Sequence, residues 1–133
     1  TEYCGKDHSN MLARMTVMNG DEYNAWIEKI KRSNDTLSPL ERGQKLYAEK
    51  GCNACHTVDG SKSIAPSFRG LYGKMETLQG GVTVAVDDNY IKESIVDPRA
   101  KIVQGYPPVM PAFQGQLDER AISSIIIFIQ SLK

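Results

Sequence analysis

The chain has 133 residues, 41% of them hydrophobic and 24% charged, with 16 basic side chains against 16 acidic ones. That length suits one compact core with an appended segment. The composition excludes a mainly disordered chain, and the balanced charge supplies no field to draw it onto nucleic acid or an anionic membrane surface. The longest apolar run, "IIIFI" at residues 125–129, is far shorter than the roughly 20 apolar residues of a membrane-spanning helix. Three cysteines are an odd number, so a pure disulfide framework would leave one over, which points to cofactor chemistry. The sequence opens in mid-pattern on "TEYCGKDHSNM", without a basic and apolar leader, and reads as a fragment.

Along the chain, "MLARMTVM" alternates loosely and suggests a turn followed by an edge strand. "DEYNAWIEKIKR" spaces Tyr23, Trp26, Ile27 and Ile30 by three and four, which predicts an amphipathic helix with Asp21 as its N-cap. "SNDTLSP" reads as a linker. Ser38 and Pro39 then supply an N-cap and a first-turn proline, opening a helix with Leu40, Gly43, Leu46 and Tyr47 on one side and Gly51 at its close. "SKSIAPSFRGLYG" is a loop, and "METLQGGVTVAV", divided by Gly80 and Gly81, predicts a small hairpin. "DDNYIKESIVDP" predicts a helix capped by Asp87 or Asp88 and stopped by Pro98, with Tyr90, Ile91, Ser94 and Ile95 inward. "RAKIVQGYPPVMPAFQGQL" is too rich in Pro and Gly for regular structure. Asp118 caps a last helix whose Ile122, Ile125, Ile126 and Ile129 form a buried stripe.

The chemistry concentrates in "GCNACHTVDG", residues 51–60. As a zinc site, Cys52, Cys55 and His56 lack a second ligand pair, because Cys4 and His8 belong to a distant segment. As a redox dithiol, the motif should follow a strand and open a helix, where the dipole lowers the thiol pKa, yet here it follows a helix end. As a haem-attachment site it leaves no residue idle, since two thiols add to the haem vinyl groups and the adjacent imidazole becomes the proximal iron ligand. An electron-transfer haem needs a second axial ligand. Met110, bracketed by Pro107, Pro108 and Pro111, offers a fixed backbone for one, with Met75 as the other candidate and core filling the bland account of any Met.

Residues 38–133 resemble a class I bacterial cytochrome c: "CNACH", "APSFRGLYG", "PPVMPAF" and a terminal helix stand in that family's order. The resemblance implies a mainly α fold of helices around one covalently bound haem c, with the hairpin as an insertion. It implies Cys52 and Cys55 as thioether sites, His56 and Met110 as iron ligands, and Pro66 as the carbonyl that accepts the His56 ring N–H. It implies that Gly43 and Tyr47 meet Phe128 where the first and last helices of the domain cross. Arg69 and Tyr72 are its candidates for the haem propionates, against a solvated Arg and a core Tyr.

Upstream, Glu2, Cys4, His8 and Met11 have the spacing of electron-transfer copper ligands. They resemble the end of the binuclear copper A loop, C-x-E-x-C-x-x-x-H-x-x-M, in subunit II of cytochrome c oxidase, and "DEYNAWIEKI" resembles the helix that follows there. On this resemblance residues 1–37 are the strand-and-helix remnant of a cupredoxin-like CuA domain plus a linker, expected to be partly loose without their sheet. Glu2 (by its carbonyl), Cys4, His8 and Met11 would ligate CuA in the full-length parent only. The first bridging Cys falls before Thr1, so copper is not expected in this fragment and Cys4 would be a free, oxidisable thiol.

The whole arrangement resembles subunit II of caa-type haem-copper oxidases. It implies electron transfer from a small donor protein, a cytochrome c or similar, to the chain's own CuA domain and on to subunit I. The parent would be membrane-anchored at the periplasmic face of the bacterial cytoplasmic membrane, and the fragment a soluble monomer that is no enzyme by itself. Zero net charge predicts weakly salt-dependent docking at an apolar haem edge near Ile64, Val109 and Ala112. The competing readings are a free class I carrier whose N-terminal pattern is accidental, and a peroxidase or ligand sensor in which Met110 leaves the iron.

Overall fold

A computed structural model describes residues 14–133, with the side chains of residues 31–35 outside the description. The chain divides into two compact units, Thr1–Asn34 and Asp35–Lys133. In the first, residues 14–19 have no regular structure. The strand expected over "MLARMTVM" is absent from the described part of that run, Met11–Ala13 lying outside it. Alternation alone does not make a strand, because an extended segment is fixed only by a hydrogen-bonded neighbour; Met15 and Val17 are 90% and 89% exposed.

Helix α1 spans Gly20–Thr36. Its cap lies two residues before the expected Asp21. The Asn19 side chain accepts from Glu22 N at 2.9 Å and the Glu22 carboxylate accepts from Asn19 N at 3.2 Å, a reciprocal box that satisfies two end donors at once. Asp21 becomes a first-turn acid facing the helix dipole instead. Tyr23 and Trp26, three residues apart, bring their rings to 5.9 Å.

The second unit is mainly helical: α2 (Pro39–Glu49), strands β1 (Met75–Thr77) and β2 (Thr83–Ala85), α3 (Asp88–Val96) and α4 (Glu119–Ser131). Each helix start carries the cap its sequence predicts. Ser38 Oγ and the Glu41 carboxylate form a capping box at α2, Asp87 accepts from Tyr90 N at α3, and Asp118 accepts from Ala121 N at α4. The inward stripe of α4, Ile122, Ile125, Ile126, Phe128 and Ile129, is at most 7% exposed; each such side chain contributes about 1.5–3 kcal/mol of burial. Val86, Tyr90, Ile91 and Ile95 complete the core from the hairpin exit and α3.

Helices α2 and α4 cross at Gly43. A Cβ placed there would lie 2.7 Å from the Ser124 carbonyl carbon and 2.8 Å from Phe128 Cβ, so hydrogen is the only side chain the crossing admits. One turn on, the Tyr47 and Phe128 rings meet at 5.4 Å. Leu40 is 41% exposed while Arg42 is buried, against the expected inward Leu40, which lies in the first turn of the helix.

The hairpin pairs antiparallel, with Glu76 opposite Val84. Gly80 and Gly81 take φ of 95° and 84°, a turn conformation open to glycine and costly for other residues. Among the described residues no helix is long and apolar enough to cross a membrane.

Gly43→Ala tests the crossing. In a typical helix interior this change stabilises by up to about 1 kcal/mol. Here it should destabilise by about 1–3 kcal/mol, the cost of overpacking, read as a lower urea midpoint; a midpoint that rose would refute the close approach.

Candidate functional site

Helix α2 ends by passing its chain through Gly51, whose φ of 72° lies in the left-handed region that closes helices. The chain then turns at once into a 3₁₀ turn at Cys52–Ala54. Cys55 N and His56 N both donate to Cys52 O, at 3.2 and 2.9 Å. The two cysteines and the histidine are thus wound onto one turn, which is what a separation of three residues followed by an adjacent residue produces on a helical path.

His56 is held on three sides. Its Nδ1 lies 2.8 Å from Pro66 O; a carbonyl only accepts, so Nδ1 carries the proton in this contact and Nε2 keeps its lone pair. Phe68 stacks on the imidazole at 4.5 Å between centroids and 28° between planes. Tyr47 donates its hydroxyl to His56 O at 2.5 Å. Burial pushes the imidazole pKa below its ordinary value, opposed by the bond to Pro66, and so favours the neutral ring that a metal ligand must be. The loop behind it is pinned by Ala65 N to Cys55 O at 3.2 Å, Phe68 N to Thr57 O at 2.8 Å and Ser67 Oγ to Thr57 O at 3.1 Å.

Cys52, Cys55, His56, Pro66 and Met110 line one cleft, whose remaining walls are mostly apolar and include Leu71, Ile91, Ile95, Ile125 and Ile129. Met110 is half-buried there, while Met75 sits on β1 and is 58% exposed. The structure thus gathers five of the seven haem-site residues expected from the sequence. Arg69 and Tyr72 are not among the lining residues: Arg69 donates to Asp59 O at 3.2 Å and Tyr72 to the Asp88 carboxylate at 2.8 Å. The charged side chains that do line the cleft are Lys50 and Lys101. Glu2, Cys4, His8 and Met11 lie outside the described residues.

The other uses of the motif fit less well. Burial pushes the Cys52 thiol pKa up, the opposite of an activated redox dithiol. Among the described residues no group of three or more His, Cys, Asp or Glu gathers where it could hold a metal ion. Two thiols and an imidazole on one turn, lining the same largely apolar cleft as a thioether, do fit a covalently attached haem. Sequence reading missed two contacts that position the imidazole. Tyr47 was placed at the helix crossing but not on His56 O, and nothing in the spacing of Phe68 signals its stacking on the ring.

The Cytochrome c family model matches residues 40–133. The chain is 30% identical over 137 aligned residues to cytochrome c oxidase subunit 2 of Alkalihalophilus pseudofirmus, covering 99% of this chain and 37% of that protein. It is 28% identical over 104 residues to the same subunit of Bacillus subtilis, covering 73% of this chain and 29% of that one. A 34-residue stretch, 26% of this chain and 40% of the relative, is 47% identical to cytochrome c-551 of Azotobacter vinelandii. The chain therefore spans about a third of the oxidase subunits it resembles. The matched family implies a covalently bound haem c and electron transfer as its use, and with the CxxCH turn, the apolar cleft and the helices α3 and α4 that wall it all within residues 40–133, the chain belongs to the cytochrome c family.

Proposed function

We propose that Cys52 and Cys55 would hold a haem by thioether bonds, that His56 Nε2 and Met110 Sδ would ligate its iron, and that the domain passes single electrons without binding a substrate at iron. The observation that carries this reading is the 2.8 Å contact of His56 Nδ1 with Pro66 O, which leaves Nε2 as the ring nitrogen with a free lone pair on a residue that lines the same cleft as Met110. The haem, when bound, supplies a one-electron iron couple. The residues around it set the conditions. Pro66 O fixes the imidazole and raises its donor strength. Phe68 and the isoleucine wall keep water out, and a neutral thioether at Met110 favours the ferrous state.

The same reading extends to the parent protein. Likeness to two oxidase subunits 2 along most of this chain supports a role as the haem c domain of cytochrome c oxidase subunit II. Electrons would enter from a small donor protein and leave to the CuA centre of the same polypeptide, with Glu2, Cys4, His8 and Met11 as copper ligands there and subunit I beyond. Residues 1–37 would then be the end of the CuA domain and residues 38–133 the haem domain, on the periplasmic side of the membrane. A tether of this kind replaces a docking equilibrium with a high effective concentration. The likeness to cytochrome c-551 supports the alternative, a free carrier. The parent gene separates the two: a Cys codon directly before Thr1, with a His codon further upstream, is expected for the oxidase subunit, and its absence would remove the copper assignment.

Two measurements test the haem domain itself. In Met110→Ala the oxidised protein should lose its thioether-to-iron charge-transfer band while the haem stays attached, and the potential should fall by roughly 0.1–0.3 V, a part of the ~0.8 V range that axial ligands span; a band that persisted would remove Met110 from the iron.

Docking is the second. Ile64 and Val109, 52% and 59% exposed, line the cleft, whereas Ala112, also exposed, is not among its lining residues, and a net charge of zero gives no long-range steering. The second-order rate with a small donor cytochrome should change by less than about threefold between roughly 0.01 and 0.15 M salt; a tenfold fall would show that charge, not this apolar edge, guides the encounter.

A further inference from the structure

The hairpin between residues 75 and 85 contributes no residue to the cleft lining, yet its hydrogen bonds lead to the segment that presents Met110. Strands of three residues are too short to stand alone. What holds this pair is the burial of Leu78 and Val86, 8% and 1% exposed, and a third segment. Leu78 bridges Val103 antiparallel, with Gln79 N donating to Ile102 O at 2.8 Å and Gln104 N donating to Thr77 O at 2.9 Å. Residues 102–104 are therefore a partial third strand. Beyond the bridge, the Gln79 side-chain amide donates to Tyr106 O at 3.3 Å, immediately before Pro107. At the far end of the Met110 loop, Phe113 N donates to Ile95 O on α3 at 3.0 Å.

The loop is thus tied at both ends, and between Tyr106 and Phe113 it contains Pro107, Pro108 and Pro111 and a tight turn closed by Val109 N on Pro107 O at 2.9 Å. We propose that the hairpin is a brace for the distal ligand, with Gln79 as a positioning residue that acts on Met110 through the Tyr106 carbonyl. The inference rests on Met110 being the axial ligand. A thioether is a weak, uncharged donor, so its hold on the iron depends on how little the backbone gains by moving away; every tie released at Tyr106 adds freedom to the released form and none to the bound form. Local opening of this loop, not unfolding of the domain, is the event the brace opposes.

Free imidazole provides the test, because it takes the iron only when Met110 has left. In the haem-loaded protein, Gln79→Ala should raise the apparent affinity for imidazole roughly fivefold, the effect of losing one ordinary hydrogen bond, and should lower global stability by no more than that same bond contributes. Val82→Ser, at the exposed hairpin tip, should change neither. Gln79→Glu keeps the size but cannot donate to the carbonyl, and should behave as Gln79→Ala does. An unchanged imidazole affinity in both Gln79 variants overturns the brace, as does a fall in global stability much larger than the shift in imidazole affinity, which would make Gln79 a general fold contact. A wild-type protein without the thioether-to-iron band would overturn the ligand assignment itself, and that result is read before any variant is made.

Discussion

The contact on which the site depends is the crossing of α2 and α4, where Gly43 lets one backbone approach another more closely than any Cβ allows. Its effect reaches His56, the proposed haem ligand, through a single side chain. Tyr47 lies one helical turn beyond Gly43, with its ring against Phe128 on one side and Phe68 on the other, and its hydroxyl on His56 O. Phe68 in turn stacks on the imidazole. Packing of the terminal helix is thereby coupled to the position of the ligand, and because interiors are close-packed and resist small displacements, the histidine inherits the rigidity of the core.

That rigidity suits the chemistry. Electron transfer needs a site whose geometry differs little between two oxidation states, and the arrangement limits motion on both faces of the cleft by different means. On the proximal side, the restraint is aromatic packing plus hydrogen bonds to backbone carbonyls at 66 and 57. Around Met110, the proposed second ligand, there is little secondary structure, and proline with two anchoring contacts takes its place. The neutral imidazole and neutral thioether also add no charge to an apolar cleft, which would otherwise be expensive to desolvate.

How much of this could be read in the sequence depended on how local the causes are. The helix starts at Ser38, Asp87 and Asp118, the isoleucine stripe of α4, the Gly80–Gly81 turn and the CxxCH turn are each fixed by residues within a few positions of one another, and all were legible. Asn19 rather than Asp21 caps α1 because a capping box is chosen by its partner three residues on, and Glu22 completes it from Asn19. Arg69 and Tyr72 have protein partners, Asp59 O and the Asp88 carboxylate, because long polar side chains take whichever acceptor folding brings near. No periodicity encodes such a choice. The pairing of residues 102–104 with the hairpin was illegible for the same reason: three residues in a proline-rich loop carry no strand pattern, and become a strand only when Leu78 is buried beside them.

The hairpin insertion then has a physical reason to exist. A loop fixed by prolines is stiff within itself but free to swing as a body about its ends, since proline restricts φ without tying the chain to anything. Stiffness and anchoring are separate requirements for a weak ligand. The sequence "YPPVMP" satisfies the first, and the second must come from elsewhere in the fold. Residue 113 is anchored on α3, a helix already in the core, whereas the start of the loop takes its anchor from the hairpin. A two-stranded ribbon whose outer strand position is filled by residues 102–104 supplies that anchor within residues 75–85. Val82 stays exposed, while Leu78 at the turn end and Val86 just past β2 are buried, so the ribbon is secured at both ends beside the segment it restrains.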